Sequence, residues 1–383
     1  MTKQLKVDNI VNVAGTGKPN FPVSPTSGGA ALSTLNTHSY TSSATEPSSP
    51  KNGAIWWDSA NSKVYVYANG EFKEVTLNTD YPSAYSNQNP WSGDRGVVAG
   101  GETDTISRSN VIQYFDITTA GNAQDFGDMA TAREIHSGAS SSARGLSFGG
   151  YGPYGYLNIE YITISTTGNG TSFGNLNTGC TYNSACSDGT KAFTNGGYPG
   201  PINEIQYVTI ATTGNAADWG DLVGVSWLAG GSAADLTRAV HYAGYRSSYS
   251  NAIDYYSTAS AGNASDFGNA TAARGQGGGA SDATRAIFAG GTADGGSDGG
   301  LASIDYLTIQ TTANAQDFGD LTQQRFRTQA CPNFTRAVIT GGVVTSRYNI
   351  MEYVTIQTTG NSTDFGDLAE NTTNHASFSG SPS

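Results

Sequence analysis

The chain has 383 residues, a formal net charge of −12, 50 glycines and only 13% charged residues. That acidity argues against nucleic acid, which needs a basic footprint, and against an anionic membrane surface. No apolar run nears the roughly 18 residues of a membrane span, and no sustained apolar spacing of three and four residues occurs, so strands and tight turns are expected rather than helices.

Residues 1–50 are rich in Gly, Pro, Ser, Thr and Asn, with one apolar patch at Val7–Val13. They read as an extended segment without a core of its own. The opening Met1–Asp8 carries no apolar signal core, so synthesis and folding in a cytoplasm are expected. Residues 51–77 change texture. Ala54–Asp58 reads as a strand, Lys63–Tyr67 alternates with period two, Asn69-Gly70 is a hairpin signal, and Glu71–Thr76 closes a three-stranded β-meander with a small aromatic core. Residues 78–93 read as a linker, and 94–383 as a repeat domain.

One sentence recurs six times in that domain. The clearest copies are Tyr306–Leu321 and Tyr353–Leu368, and the others start at Tyr114, Tyr161, Tyr207 and Tyr255, at offsets of 47, 46, 48, 51 and 47 residues. A fixed period in this range marks an array of identical supersecondary units. Each copy reads as four short strands, in the fifth copy Gly277–Ser281, Arg285–Gly291, Ile304–Ile309 and a strand around Asp317–Asp320. Four strands at this period predict a blade, so the expected fold is all-β, a six-bladed β-propeller of four-stranded blades. A basic residue opens each apolar strand: Arg95, Arg144, Lys191, Arg238, Arg285 and Arg336. By this register the sequence reaches Ser383 where another apolar strand would begin. Asn374–Gly380 is therefore expected to be the inner strand of the blade begun by Arg95–Gly101, closing the ring.

The recurring motifs favour architecture over chemistry. Asp-Phe-Gly occurs at Asp125–Gly127, Asp266–Gly268, Asp317–Gly319 and Asp364–Gly366, but no kinase phosphate loop or catalytic loop accompanies it. The aromatics Phe126, Phe173, Trp219, Phe267, Phe318 and Phe365 are expected to wedge between blades. The adjacent glycine permits close backbone approach, and the Asp is expected to accept from backbone amides or a blade arginine. Calcium is a weaker alternative for these Asn- and Asp-bearing turns, because the carboxylates flank an aromatic and the second copy has none. No other cofactor is expected. The three cysteines form no disulfide framework; Cys186 and Cys331 fall at a small-residue register of the repeat and read as fillers. No nucleophile elbow or triad pattern appears among the four His, so no enzyme activity is expected. Paired carboxylates keep a glycoside hydrolase as a third reading without singling out one pair.

The loop after each glycine pair refuses to repeat. It runs over Glu102–Asn110, Tyr151–Asn158, Tyr198–Glu204, Tyr245–Asn251, Thr292–Ser303 and Val343–Asn349. Loops joining second to third strands gather on one face of a propeller. Tyr151, Tyr154, Tyr156, Tyr198, Tyr245, Arg246, Tyr249, Arg347 and Tyr348 are the candidate binding residues there, offering flat stacking area and hydrogen-bond donors to a glycan or protein.

Three resemblances follow from particular residues. The glycine pairs after the apolar strands resemble the kelch class of propellers, without its usual Tyr and Trp. Leu5–Pro22 resembles the opening of virion-attached tail proteins of marine and T4-like bacteriophages. Gly53–Asp58 with Val64–Tyr67 and Asn69-Gly70 is similar to a small module of phage tail fibres, and the repeat resembles those of cyanophage structural proteins. The resemblance implies a virion component docked on other virion proteins through residues 1–77, with the propeller projecting outward, and suggests a trimer. The expected role is that of a tail-fibre or adhesin-like protein binding a host-surface glycan or receptor, or else a structural tail, neck or capsid adaptor.

Overall fold

A computed structural model of the chain describes residues 26–27, 30–31, 40–50, 54–58, 60, 63–68, 70–74 and 92–382, apart from 153–156, 200–201 and 296–298. Among these residues all regular structure is strand, and no helix is long and apolar enough to cross a membrane. The chain divides into two units, Met1–Tyr81 and Pro82–Ser383. Most of the expected N-terminal segment and of the linker lies outside the described residues.

In the first unit, Ile55–Asp58, Lys63–Ala68 and Glu71–Glu74 form the expected antiparallel meander. Gly70 turns the hairpin at φ +89°. Trp56 stacks on Tyr65 at 4.8 Å and meets the edge of Phe72 at 5.4 Å. The sheet is larger than expected: Tyr40–Ser43 adds a fourth strand, parallel to Ile55–Asp58. The Trp56 indole N–H donates to the Ser43 carbonyl at 3.1 Å, fixing that strand against the aromatic core. A boundary at residue 50 therefore cuts through this sheet. A run of Tyr, Thr and Ser has strand propensity but no alternation to announce it.

The second unit holds six antiparallel sheets, five of them made of four strands in sequence order. Sheet I contains Arg95–Thr103, Ser109–Asp116 and Gln124–Asp128; its first position is filled by Ala376–Gly380, preceded by the short Thr372–Thr373. Sheets II to VI have four strands each and begin at Ser137, Ser184, Ser232, Gly278 and Gln329. First strands such as Ser137–Ser140 and Gly278–Ser281 are built of small residues, second strands are buried after their half-exposed opening basic residue, and third strands mix buried and half-exposed positions.

Each first strand touches the first strands of the sheets before and after it, and that of sheet VI touches Ala376–Gly380 of sheet I. Six apolar clusters occupy the six seams so defined. Phe126 and Ile112 of sheet I pack with Ile162 and Ile164 of sheet II, and the series runs on to Phe365 and Met351 of sheet VI with Phe115 and Ile117 of sheet I.

The repeated sentence is the wiring of these seams. In five sheets the strand-opening arginine lies over the repeat tyrosine at 4.3–4.8 Å, as Arg285 does over Tyr306. Its Nη1 then donates to a carbonyl of the next sheet, from Arg95 to Ile164 at 2.7 Å and round to Arg336 with Ile117 at 3.3 Å. Lys191 plays the same part over Trp219, donating to Thr258 O. The Asn of each Thr-Thr-Gly-Asn-type turn accepts from the backbone amide after the Asp-Phe-Gly glycine of the preceding sheet. All six bonds, from Asn169 with Asp128 to Asn122 with Asp367, measure 3.0–3.1 Å. The glycine is needed there: a Cβ on Gly174 would lie 2.1 Å from the Gly214 carbonyl oxygen. Asp125, Asp266, Asp317 and Asp364 are exposed, and the blade arginines donate to the neighbouring sheet's carbonyls; in the third copy Asp218 accepts from the Gly220 amide at 3.1 Å.

Candidate functional site

Glycine pairs such as Gly100 and Gly101, at φ +62° and +101°, break each second strand; in sheet IV Ala243 takes the first place at φ +56°. The residue that follows bridges back to the segment entering the first strand: Glu102 to Thr373, Tyr151 to Glu134, Tyr198 to Thr181, Tyr245 to Trp227, Thr292 to Gly275 and Val343 to Phe326. The non-repeating loops and the segments between sheets therefore share one end. Of the seven exposed large apolar side chains among the described residues, Ile106, Tyr151, Leu157, Tyr198, Val223 and Val225 lie at this end, and Leu236 alone lies at the other.

The segment entering each first strand carries a feature that the sequence analysis missed. Nine residues after the motif aromatic, Ile135, Tyr182, Leu228, Gln276, Arg327 and Asn374 all adopt the left-handed conformation, at φ +51° to +60°. Each such residue costs about 1–2 kcal/mol relative to glycine, and Ile is a poor choice for it. Backbone bonds run from member to member: Ile135 N–H to Asn374 O at 2.7 Å, Tyr182 N–H to Ile135 O at 3.3 Å, Gln276 N–H to Leu228 O at 2.9 Å and Arg327 N–H to Gln276 O at 2.6 Å. The backbone is the same six times and the side chain different six times. The only sequence signal is this fixed offset.

Three of the expected tyrosines come together at this end. Tyr198 and Tyr245 each lie 5.3 Å from Trp227, Tyr249 lies 5.3 Å from Tyr245, and Tyr182 completes the group 5.8 Å from Trp227. Tyr151 instead takes the Arg108 guanidinium over its ring at 5.1 Å. Tyr154 and Tyr156 lie outside the described residues. Arg246 is not a free donor: it turns inward to Asp254 at 2.8 Å, whose side chain is 1% exposed, and so ties its loop to the sheet. Arg347 is likewise engaged, with Glu102 and with Asp104 at 3.5 Å. Tyr348 is half-buried and donates its backbone N–H to Gly342 O at 2.9 Å.

Charge is unevenly satisfied around the left-handed residues. Asn374 Nδ2 donates to Glu134 at 3.3 Å and to Glu102 at 3.4 Å, which brackets two carboxylates. Burial pushes the Glu134 carboxyl up, and the Glu102 charge adds to it. Arg327 donates through Nε to Gln276 Oε1 at 2.9 Å, and among the described residues no carboxylate lies within ion-pair reach of it. Its charge is felt by Glu134, Tyr182 and Tyr249, from three different sheets. Beneath, first strands of all six sheets line a cavity of about 30 Å³, through Gly138, Ser184, Ser232, Gly279, Ala330 and Ser377. That is far below the several hundred Å³ of a ligand pocket, so a ligand has to stop above it.

Cys180, Cys186 and Cys331 are free and buried, with thiols pushed up to about 12 by burial. Among the described residues no group of three or more His, Cys, Asp or Glu side chains is placed to hold a metal ion. The Asn oxygens a calcium turn would need already accept backbone amides. No protein-family model matches the chain, and a search of curated proteins finds no similar sequence.

Three buried histidines give a pH prediction. Burial holds His241 and His375 down at about 3, and His136 well below its ordinary value. Between that range and the unfolded value near 6.5 the unfolded chain binds more protons, so stability falls as pH falls, by about 1.4 kcal/mol per pH unit for each group. Glu134 and Asp254, raised by burial, act oppositely just above the ordinary carboxylate range. Melts from pH 7 to pH 4 are expected to show a steadily decreasing melting temperature below pH 6.5. A flat profile there refutes neutral burial of these rings.

Proposed function

We propose that the six sheets are the blades of a six-bladed β-propeller closed by Ala376–Gly380, and that the propeller is a non-enzymatic attachment module of a phage virion. The cyclic seams support the ring: six clusters, six bonds from a strand-opening basic residue to a carbonyl (five arginines and Lys191) and six asparagine clasps each continue from sheet VI to sheet I. The virion assignment rests on the resemblance of Leu5–Pro22 and Gly53–Gly70 to phage tail proteins. In this reading residues 1–77 join other virion proteins, a trimer forms, and the end bearing the non-repeating loops meets a host-surface glycan or receptor.

One observation carries the binding role. A backbone repeated six times presents side chains that differ in every copy at one end, and six of the seven exposed large apolar side chains among the described residues lie there. Structural repetition needs no such divergence, whereas recognition of an asymmetric ligand does.

The test is adsorption of the labelled full chain to intact host bacteria. Tyr151→Ser and Tyr198→Ser together are expected to lower adsorption at least tenfold, with the melting temperature within a few degrees of the parent, since both side chains are more than 40% exposed. Unchanged adsorption removes this face from the reading. Binding to a purified virion protein instead of to cells establishes the adaptor role.

A further inference from the structure

We infer that Ile135, Tyr182, Leu228, Gln276, Arg327 and Asn374 form the mouth of a saccharide-binding site, with Trp227 and Glu134 at its edge. The inference rests on the proposed attachment role and names its ligand class and location.

The argument begins with what is missing at these positions. Left-handed backbone favours glycine, and this chain carries 50 glycines, many at positive φ beside the same strands. None of the six positions uses one. A purely architectural turn would be relieved by glycine in every copy, so the side chains are retained for themselves. Strain kept at several equivalent points marks a functional segment. Their diversity marks an asymmetric ligand: two aliphatics, one aromatic, two amides and one guanidinium converge through a chain of backbone hydrogen bonds.

The chemistry selects a sugar. A pyranose has an apolar C–H face and a rim of hydroxyls that both donate and accept. Tyr182 and Trp227, 5.8 Å apart at 76°, offer aromatic faces for the C–H side. Arg327 has a donor fork with no carboxylate partner among the described residues, suited to hydroxyl or carboxylate oxygens. Glu134 supplies acceptors for hydroxyl protons. Burial raises the Glu134 carboxyl, and a ligand hydroxyl donating to its ionised form would oppose that. A stable protein partner would need about 800 Å² per side with an apolar centre. Six unlike side chains, four of them half-exposed at Ile135, Tyr182, Gln276 and Arg327 with Leu228 and Asn374 buried between them, suit one or two sugar rings better above a cavity too narrow to enter.

The experiment screens the full chain on an array of immobilised neutral and acidic saccharides, beside adsorption to host cells. Arg327→Gly and Gln276→Gly are the diagnostic variants, and Leu236→Ser, at the opposite end, is the control. Each glycine variant is expected to lose saccharide binding at least tenfold while its melting temperature stays level or rises, because glycine relieves the strained φ. Leu236→Ser should bind as the parent does. Loss of saccharide binding in Tyr198→Ser with full retention in both glycine variants overturns the mouth and leaves the attachment role standing. An array silent for a chain that still adsorbs to cells overturns the saccharide. A melting temperature several degrees lower in both glycine variants overturns the strain argument. Failure of the parent chain to adsorb to cells or saccharides removes the attachment role itself.

Discussion

Removal of residues 371–383 is expected to abolish the cooperative unfolding transition of the second unit. Ala376–Gly380 is buried along its whole length and pairs with Arg95–Ala99. It also touches the first strands of sheets II and VI, so its loss opens two seams together. Phe378 is 4% exposed and sits where a Cβ on Gly145 would lie 1.9 Å from its ring; that glycine exists to admit it. Ser379 completes the joint by accepting from Ser140 Oγ at 2.7 Å and donating to the Pro332 carbonyl. A domain of net stability about 5–15 kcal/mol cannot lose an innermost strand and keep its fold. Calorimetry of the truncated chain should show no transition comparable to the parent's. Phe378→Ala gives a graded version: an unfilled core site costs about 3–5 kcal/mol, which lowers the melting temperature by about 5–15 °C. A truncated chain with full transition enthalpy would mean that this strand closes nothing.

The period of the repeat made the sheets legible because each copy repeats both its strand alternation and its turn chemistry. The place of Ala376–Gly380 was legible for the same reason. The roles inside the sentence were less so. Asp364 invited a bond to arginine, but Arg336 reaches past it to the carbonyls of Ile117 and Thr118, more than 200 residues away in sequence. Sequence spacing carries no information about which sheet a side chain turns toward. The site was half legible. Tyrosine content pointed to the end where Tyr198, Tyr245 and Tyr249 gather, but composition could not tell Arg246, consumed by Asp254, from Arg327, which has no such partner among the described residues. The left-handed positions were invisible because residues as unlike as Ile135 and Asn374 share nothing but backbone conformation.

The second large effect is expected from the buried ion pairs, where the repeats supply their own controls. Seven residues after the motif aromatic stand Arg133, Arg274 and Arg325, and each meets a carboxylate on the third strand of the sheet that follows: Glu160, Asp305 and Glu352. All six side chains are at most 5% exposed. Burial alone would push the Glu352 carboxyl up, but Arg325 at 2.5 Å and bonds from Ser362 and Thr322 hold it below its ordinary value. In two of the three copies without the arginine the carboxylate is absent as well. Cys180 and Thr372 occupy the arginine position in two other copies, and the facing residues are the neutral Gln206 and Gln113. In the remaining copy Ser226 replaces the arginine, and Arg246 reaches in from its loop to neutralise Asp254. Charge is thus matched copy by copy, as an unpaired buried charge demands. Asp305→Asn should cost about 3–5 kcal/mol by leaving Arg274 uncompensated, seen as a melting temperature lowered by about 5–15 °C. The converse cycle is sharper. Cys180→Arg and Gln206→Glu should each destabilise sheet III, while the double variant recreates the Arg133–Glu160 arrangement. The double variant should then be more stable than the sum of the singles by about 1–3 kcal/mol. Strict additivity would show that the two positions do not face one another across the sheet.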